Sequence, residues 1–212
     1  SINYEAGLRV RSGSLRAELI GFFNKYENLL GRDTLATGGT GSGDLFNGGK
    51  VRVHGLEAAM SADLQGSLGA KFSVPVSVTY TFTRGRFENA FQSQYGPWGA
   101  VAAKDELPYL PAHQLFTSVG VSTPRWLADV SASYVAATRT RAGQGALDPA
   151  TSTERAFVLD ALGEYVIDQR LRVYASVQNV ANQSYIVARQ PAGARPGLPR
   201  TFMAGLKFGI GR

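Results

Sequence analysis

Arginine, glutamine and two aromatic residues stand in the long glycine- and proline-containing segments of this 212-residue chain. Guanidinium groups bind carboxylates through paired hydrogen bonds, and aromatic rings contact apolar ligand surfaces. These side chains predict recognition of a carboxylate-bearing anion by loops, although contacts with an acidic lipid surface, or simple solvation, would use the same residue types. The candidates are Arg84, Arg86, Gln92, Gln94, Tyr95, Trp98, Arg139, Arg141, Gln144, Arg189, Gln190 and Arg195.

Residues for enzymatic chemistry are sparse. The chain has no cysteine, and its two histidines, His54 and His113, lie far apart in sequence without a nucleophile pattern nearby. No glycine-rich loop joins a strand to a helix, so the sequence does not indicate a phosphate-binding loop. The formal net charge of +6 fits anionic ligands or lipid, but no nucleic-acid motif accompanies it. We therefore expect no catalytic residues, no metal site, no cofactor and no nucleic-acid partner.

Alternation of apolar and polar residues dominates the sequence and predicts the elements that position these loops. The clearest case runs from Ala70 to Phe82, where Phe, Val and Tyr alternate with Ser and Thr. The pattern recurs in about nine segments, several of ten or more residues, which is the length that a tilted strand needs to cross a bilayer. The segments are 2–10, 15–23, 56–64, 70–82, 113–122 (the least regular), 126–136, 157–167, 171–177 and 202–210.

The connections alternate strictly between short and long. Short polar joins at 11–14, 65–69, 123–125 and 168–170 alternate with long joins at 31–48, 86–111, 140–153 and 181–198. An antiparallel up-and-down meander with its hairpin turns at one rim and its long loops at the other has this order. Outer-membrane barrels are built in this way.

The two faces of the predicted strands favour the same fold. One face carries small residues and aromatics, which suits lipid, whereas the other carries charges such as Glu5, Arg9 and Glu164. A charge facing hydrocarbon costs up to about 2–4 kcal/mol, so the charged face should line an enclosed lumen. A soluble β-sandwich remains the alternative, with large branched residues expected on its apolar face. Nine strands cannot close a bacterial barrel with an even strand number, so we expect residues 1–212 to be one part of a larger barrel domain.

Four motifs resemble those of one receptor family. Residues 1–9 (SINYEAGLR) resemble an opening strand of the TonB-dependent outer-membrane receptors, and residues 49–57 (GKVRVHGLE) resemble their G-x-x-R-x-x-G-x-E strand. Residues 107–114 (LPYLPAHQ) are similar to the P-x-x-P-x-H strand entry. Residues 178–185 (QNVANQSY), followed by 196–202 (PGLPRTF), resemble the signature before the last strand.

The resemblance implies an all-β transmembrane barrel of 22 strands with a plugged lumen, of which this chain would supply about the nine C-terminal strands. It implies uptake of a ferric chelate, either ferric citrate or a siderophore, across the outer membrane of a Gram-negative bacterium. The TonB–ExbB–ExbD complex would drive uptake through a plug and TonB box outside this chain. Outer-membrane lipid and lipopolysaccharide would surround the barrel, and iron would be present only as cargo. A passive porin or an adhesin barrel is the alternative.

Overall fold

The computed structural model describes residues 1–34 and 39–209, and the regular secondary structure of these residues is almost entirely antiparallel β-strand. Nine long strands form one sheet, and six short strands form three separate two-stranded ribbons. In chain order the elements are β1 Ile2–Ser12, β2 Leu15–Tyr26, β3 Leu30–Arg32, β4 Leu45–Asn47, β5 Val51–Asp63, α1 Gln65–Leu68, β6 Pro75–Phe87, β7 Phe91–Gln92, β8 Ala100–Val101, β9 His113–Ser122, β10 Trp126–Val135, β11 Ala156–Val166, β12 Leu171–Gln178, β13 Ile186–Ala188, β14 Arg195–Pro196 and β15 Thr201–Phe208.

The nine long strands follow one another in the order β1-β2-β5-β6-β9-β10-β11-β12-β15, and each pairs antiparallel with the next. This up-and-down order confirms the predicted meander, with short turns at one end and long loops at the other. Even the irregular segment at 113–122 forms a strand with the predicted bounds. None of the described residues form a helix that is long and apolar enough to cross a bilayer.

The fourth predicted strand begins later than its alternation suggested. Residues 65–68 form the short helix α1, Gly69 follows in the left-handed region with φ of 61°, and β6 starts only at Pro75. The Asp63 carboxylate explains this shift, because it accepts hydrogen bonds from the backbone N–H groups of Gln65 and Val74 and from the Ser73 hydroxyl. Ile210, the last residue of the final predicted strand, lies outside the described residues.

Register keeps the two faces distinct across the whole sheet. On one face a row of serines runs from Ser61 through Ser77 and Ser118 to Ser131, and the Ser77 and Ser118 hydroxyls are 2.8 Å apart. On the other face, which we call the outward face, Leu19, Ala58, Tyr80, Leu115, Tyr134 and Phe157 occupy one row. A slip of one residue would exchange the faces, so the consistent register preserves one apolar and one polar surface.

A buried side-chain amide helps to hold the two ends of the last long loop together. Asn179 is 1% exposed, and its Nδ2 donates to the carbonyl oxygens of Gln183 and Leu198, each at 2.9 Å. Its Oδ1 accepts the Gln183 N–H, and its backbone takes a positive φ of 51°, which Asn tolerates better than most residues. This asparagine belongs to the last sequence motif, and its amide joins the two ends of the loop.

Candidate functional site

An aromatic cluster at the long-loop end of the sheet fixes the loops in place. Val51 and Phe87, which pair across β5 and β6, pack with Tyr95, Trp98 and Val101 from the second long loop. Trp98 meets the Phe87 ring edge-on, with centroids 5.2 Å apart. Such aromatic pairs add to the free energy gained by burying apolar area. The second loop therefore packs against the end of the sheet and is not a solvent-exposed linker.

The same cluster anchors the first long loop. Phe46, on β4, stacks on Tyr95 with a centroid distance of 4.2 Å and an interplanar angle of 11°. The Trp98 ring fills the space beside Gly48, where an added Cβ would lie only 2.3 Å from it. Glycine at position 48 is thus required for the two loops to approach each other.

A cavity of about 1070 Å³ opens between all four long loops. Its described lining comes from Asp33 and parts of 39–46 in the first loop, 94–97 in the second, 139–152 in the third and 189–194 in the fourth. The cavity brings together half of the side chains that the sequence predicts for ligand recognition. These six are Gln94, Tyr95, Arg139, Arg141, Arg189 and Gln190.

Arg139 serves mainly to join the second and third loops. Its Nε donates to Glu106 Oε2 at 3.0 Å, its Nη2 donates to the Gly145 carbonyl oxygen, and its side chain is only 13% exposed. Partial burial by itself raises the pKa of Glu106, but the hydrogen bonds and charges of Arg139, Arg86 and Arg84 outweigh it and leave that pKa below its ordinary value. Glu106 is therefore an ionised junction between these loops.

Arg189 joins the third and fourth loops through neutral acceptors. Its Nε donates to the Ser152 carbonyl oxygen at 2.5 Å, and its Nη2 donates to the Pro149 carbonyl oxygen at 3.0 Å. No carboxylate of the described residues forms an ion pair with it. Its charge at the cavity wall is held in place but not neutralised by a counter-ion.

Arg141 differs from both of these arginines. Its side chain is exposed at the cavity wall, and it makes no hydrogen bond or ion pair with any residue that the structure describes. Its neighbours along the chain are fixed, since the Thr140 hydroxyl donates to the Thr151 carbonyl oxygen and the Ala142 N–H donates to the Pro97 carbonyl oxygen. Arg141 thus presents an uncommitted guanidinium group from an anchored backbone.

Three carboxylates in the lining were not foreseen from the sequence: Asp33, Asp44 and Asp148. The Thr40 hydroxyl and the Gly41 N–H hydrogen-bond to Asp33 and lower its pKa. Asp148 accepts the Ala150 N–H at 2.9 Å within its own turn. Only Asp148 has the Asx-type spacing that the sequence could have indicated, since its partner lies two residues on, whereas the partners of Asp33 lie seven and eight residues away.

The other six predicted residues do not line the cavity. Trp98 is buried in the aromatic cluster, while Gln144 donates to the Ala103 carbonyl oxygen and to Asp105 Oδ1 and so connects the third loop to the second. Gln92 and Arg195 are exposed on β7 and β14. Arg84 and Arg86 lie on the outward face of β6, in line with Tyr80 and Phe82, and contact Glu106.

The lining combines three arginines, three aspartates and several hydroxyl groups around one space. The uncommitted Arg141 guanidinium could bind a carboxylate in bidentate geometry, and Arg189 lines the same cavity. Hydroxyl groups of Thr40, Ser42 and Thr151 add further hydrogen-bonding groups around the space. Within residues 1–34 and 39–209, no cluster of three or more His, Cys, Asp or Glu side chains is placed to hold a metal ion.

Comparisons with known proteins agree on one fold. The family described as "TonB dependent receptor-like, beta-barrel" matches residues 1–180. Among solved structures, the ferric-catecholate import receptor Fiu of E. coli K12 is 22% identical with a TM-score of 0.69, the copper transporter OprC 18% with 0.69, and the ferric citrate transporter FecA 21% with 0.68. No curated protein sequence gives a significant match.

The alignments cover 97% of this chain but only 27%, 30% and 30% of Fiu, OprC and FecA, so the chain spans less than a third of each receptor. The family match covers most of the chain, and the structural matches show that its meander is part of the same barrel. This chain belongs to the TonB-dependent receptor-like β-barrel family, whose members are receptors of the Gram-negative outer membrane and not enzymes.

Proposed function

We propose that residues 1–212 form the C-terminal portion of the barrel of a TonB-dependent transporter that takes up a ferric chelate. The loop cavity is the extracellular binding site, and the chelate carries carboxylate groups, as ferric citrate and carboxylate siderophores do. Energy comes from the TonB–ExbB–ExbD complex, and iron enters only as part of the cargo. Family membership supports the uptake role, and the cavity chemistry supports the carboxylate.

The exposed Arg141 guanidinium carries this proposal. An arginine without a partner, on an anchored backbone in a cavity of about 1070 Å³ that Arg189 also lines, favours an anionic ligand over a neutral one. Arg139 and Arg189 are less available for ligand contact, because their side chains already hold neighbouring loops together. We therefore assign direct ligand contact to Arg141 and loop positioning to the other two.

The test is ligand binding to the full-length receptor with Arg141 changed to Ala. A hydrogen-bonded charged group contributes about 1.5–3 kcal/mol, so Arg141→Ala should weaken ferric citrate or carboxylate siderophore binding by about 10- to 150-fold. Arg195→Ala is the matched control, because Arg195 is an exposed loop arginine that does not line the cavity.

The ligand panel should include a ferric catecholate and Cu²⁺, since Fiu and OprC are named for those cargoes. Equal carboxylate-chelate affinity in Arg141→Ala and the unaltered receptor would contradict the assignment of Arg141. Binding of only the catecholate or the copper ion would contradict the proposed cargo. Uptake that persists in cells without TonB would favour a passive porin.

A further inference from the structure

One row on the inner, polar face of the nine-stranded sheet carries a polar side chain on each strand that it crosses. Its middle consists of Ser61, Ser77, Ser118 and Ser131, on β5, β6, β9 and β10. Apart from the contact between the Ser77 and Ser118 hydroxyl groups, these serines make no side-chain hydrogen bond with residues 1–34 and 39–209. The row therefore offers hydroxyl groups to a molecule in the lumen.

The inner-face rows on either side of the serines are interrupted by apolar residues. The row nearer the long loops contains Phe116 and Val158. The row nearer the short turns contains Pro75 and Leu162. A polar molecule that moves along either of these rows loses hydrogen-bonding partners at each apolar position, whereas the serine row provides a partner on every strand.

The row reaches the long-loop end of the sheet on its last three strands. Ser131 pairs with Asp160 on β11, and Gln178, the last residue of β12, pairs with Thr201, the first residue of β15. Asp160 and Gln178 both line a cavity of about 500 Å³, which we call the inner cavity. The upper end of the row therefore opens into this cavity.

The inner cavity is adjacent to the chelate cavity between the loops. Ser152 lines the chelate cavity, and the following residue, Thr153, lines the inner cavity. The Thr138 and Thr153 hydroxyl groups, 3.1 Å apart, hold this segment of the third loop in place. One layer of loop thus separates the upper end of the row from the proposed binding site.

The row ends in two opposed arginines near the short turns. Ser61 pairs with Arg16 on β2, and Arg16 pairs directly with Arg11 on β1. Both arginines are exposed, and neither forms an ion pair or a side-chain hydrogen bond with the part of the chain that the structure describes. Like charges directly opposite each other destabilise a strand pair, so this position favours an anion.

The charges at the two ends of the row have opposite signs. Asp160 repels an anion at the upper end, and Arg11 and Arg16 attract one at the lower end, with uncharged hydroxyl groups between them. Strands of outer-membrane barrels are tilted by about 35–45°, and their short turns face the periplasm. A row at right angles to the strands therefore slopes from the extracellular loops toward the periplasm.

We infer that this row, which we call the polar track, guides an anionic chelate along the barrel wall from the loop cavity to the periplasmic end. The inference rests on the proposed function, because it takes the cargo to be an anionic ferric chelate. The serine hydroxyl groups replace water at the oxygen atoms of the chelate, and the Arg11–Arg16 pair attracts it at the exit.

The test compares two double variants at the centre of the track in the full-length receptor. Leu and Asn have the same number of side-chain heavy atoms in the same branched arrangement, but only Asn keeps hydrogen-bonding groups. Ser77→Leu with Ser118→Leu should slow ferric citrate uptake at least about fivefold, because two hydrogen-bonding groups are lost from the route. Ser77→Asn with Ser118→Asn should transport at nearly the unaltered rate. Each uptake rate is divided by the amount of radiolabelled ferric citrate bound at the cell surface.

Thr79→Leu with Ser176→Leu is the matched control. Thr79 and Ser176 lie on the same inner face but in the two neighbouring rows, where Thr79 pairs with Phe116 and Ser176 pairs with Met203. Because these rows already contain apolar residues, the control should take up ferric citrate as the unaltered receptor does.

A second comparison tests the exit. An exposed charge contact changes a rate by at most about fivefold, so Arg11→Gln with Arg16→Gln should slow uptake by about 5- to 30-fold without changing surface binding. Arg125→Gln with Arg170→Gln is the control, because both are exposed arginines in other short turns and lie outside the track. Equal uptake by these two variants would contradict the role of the arginine pair.

Three further outcomes would overturn the inference. Normal ferric citrate binding with equal uptake by the Leu variant and its control would show that the row is not the route, and the proposed function would stand. Slower uptake together with a lower Tm of the purified receptor, in both the Leu and the Asn variants, would show that the row holds another part of the receptor in place. An unaltered receptor that binds no ferric citrate would contradict the proposed function and, with it, the anionic cargo of the track.

Discussion

Arginine side chains of similar sequence context divide into three roles in this chain. Arg139 and Arg189 hold loops together through Glu106 and through backbone carbonyl oxygens, whereas Arg141 stays uncommitted in the cavity. Arg84 and Arg86 lie on the opposite surface of the barrel wall. The sequence predicts where arginines concentrate, but their partners come from distant loops, and only the fold separates the three roles.

Glu106 makes the contact between the second and third loops dependent on pH. Its pKa is lowered in the folded protein, so its contribution to stability is complete above the ordinary glutamate pKa of about 4.3 and is lost as the pH falls through the folded value. We expect amide hydrogen exchange in residues 102–110 and 139–145 to accelerate below about pH 4.3, after correction for the intrinsic pH dependence of exchange.

Changing Glu106 to Gln should remove this pH dependence and raise exchange in both segments at neutral pH. Glu57→Gln is the control, because the exposed Glu57 makes no ion pair within the described part of the chain. The same acid-induced loosening in Glu106→Gln as in the unaltered receptor would place the titrating group elsewhere.

Long strands are the elements that the sequence predicts best. The bounds of β9 match the predicted 113–122 to the residue even though its alternation is the least regular, and the other long strands alternate because each exposes one face to lipid and one to a polar interior. The short ribbons β3–β4, β7–β8 and β13–β14 were not foreseen, since strands of two or three residues carry too little alternation to detect. The delayed start of β6 escaped prediction because the Asp63 carboxylate, and not the local pattern, ends the turn.

The aromatic cluster was also beyond sequence reasoning. Tyr95 and Trp98 suggested ligand contact, but the structure buries both against Phe46 and Phe87. An aromatic residue in a polar loop is equally compatible with a ligand surface and with a small local core. The choice depends on the packing of the first loop and of Val51, which lies more than forty residues upstream of both aromatics.

A change at Trp98 tests whether the aromatic cluster holds the second long loop in place. Replacing a buried Trp by Ala costs about 3–5 kcal/mol, so Trp98→Ala should detach the second loop, speed hydrogen exchange in residues 88–105 and weaken chelate binding indirectly. Trp126→Ala is the control, since Trp126 is 60% exposed on β10 and far from the cluster. Unchanged exchange in residues 88–105 of Trp98→Ala would show that the cluster does not order the loop.

The outward and inner faces of the nine-stranded sheet differ in polarity. Apolar and aromatic side chains predominate on the outward face of the long strands below their long-loop ends, and charged and hydroxyl-bearing side chains are concentrated on the other face. Lipid accepts small and large apolar residues side by side, which explains why Gly21 and Ala58 share this face with Leu56 and Tyr80.

The most direct test of this division is lipid accessibility at neighbouring positions of one strand. Nitroxide labels at Val78→Cys and at Thr79→Cys, introduced one at a time into the full-length receptor in bilayers, should differ sharply in collision with dissolved oxygen. We predict strong oxygen broadening at position 78, which faces lipid, and weak broadening at position 79, which faces the lumen. Equal broadening at both positions, or stronger broadening at position 79, would contradict the assignment of the two faces.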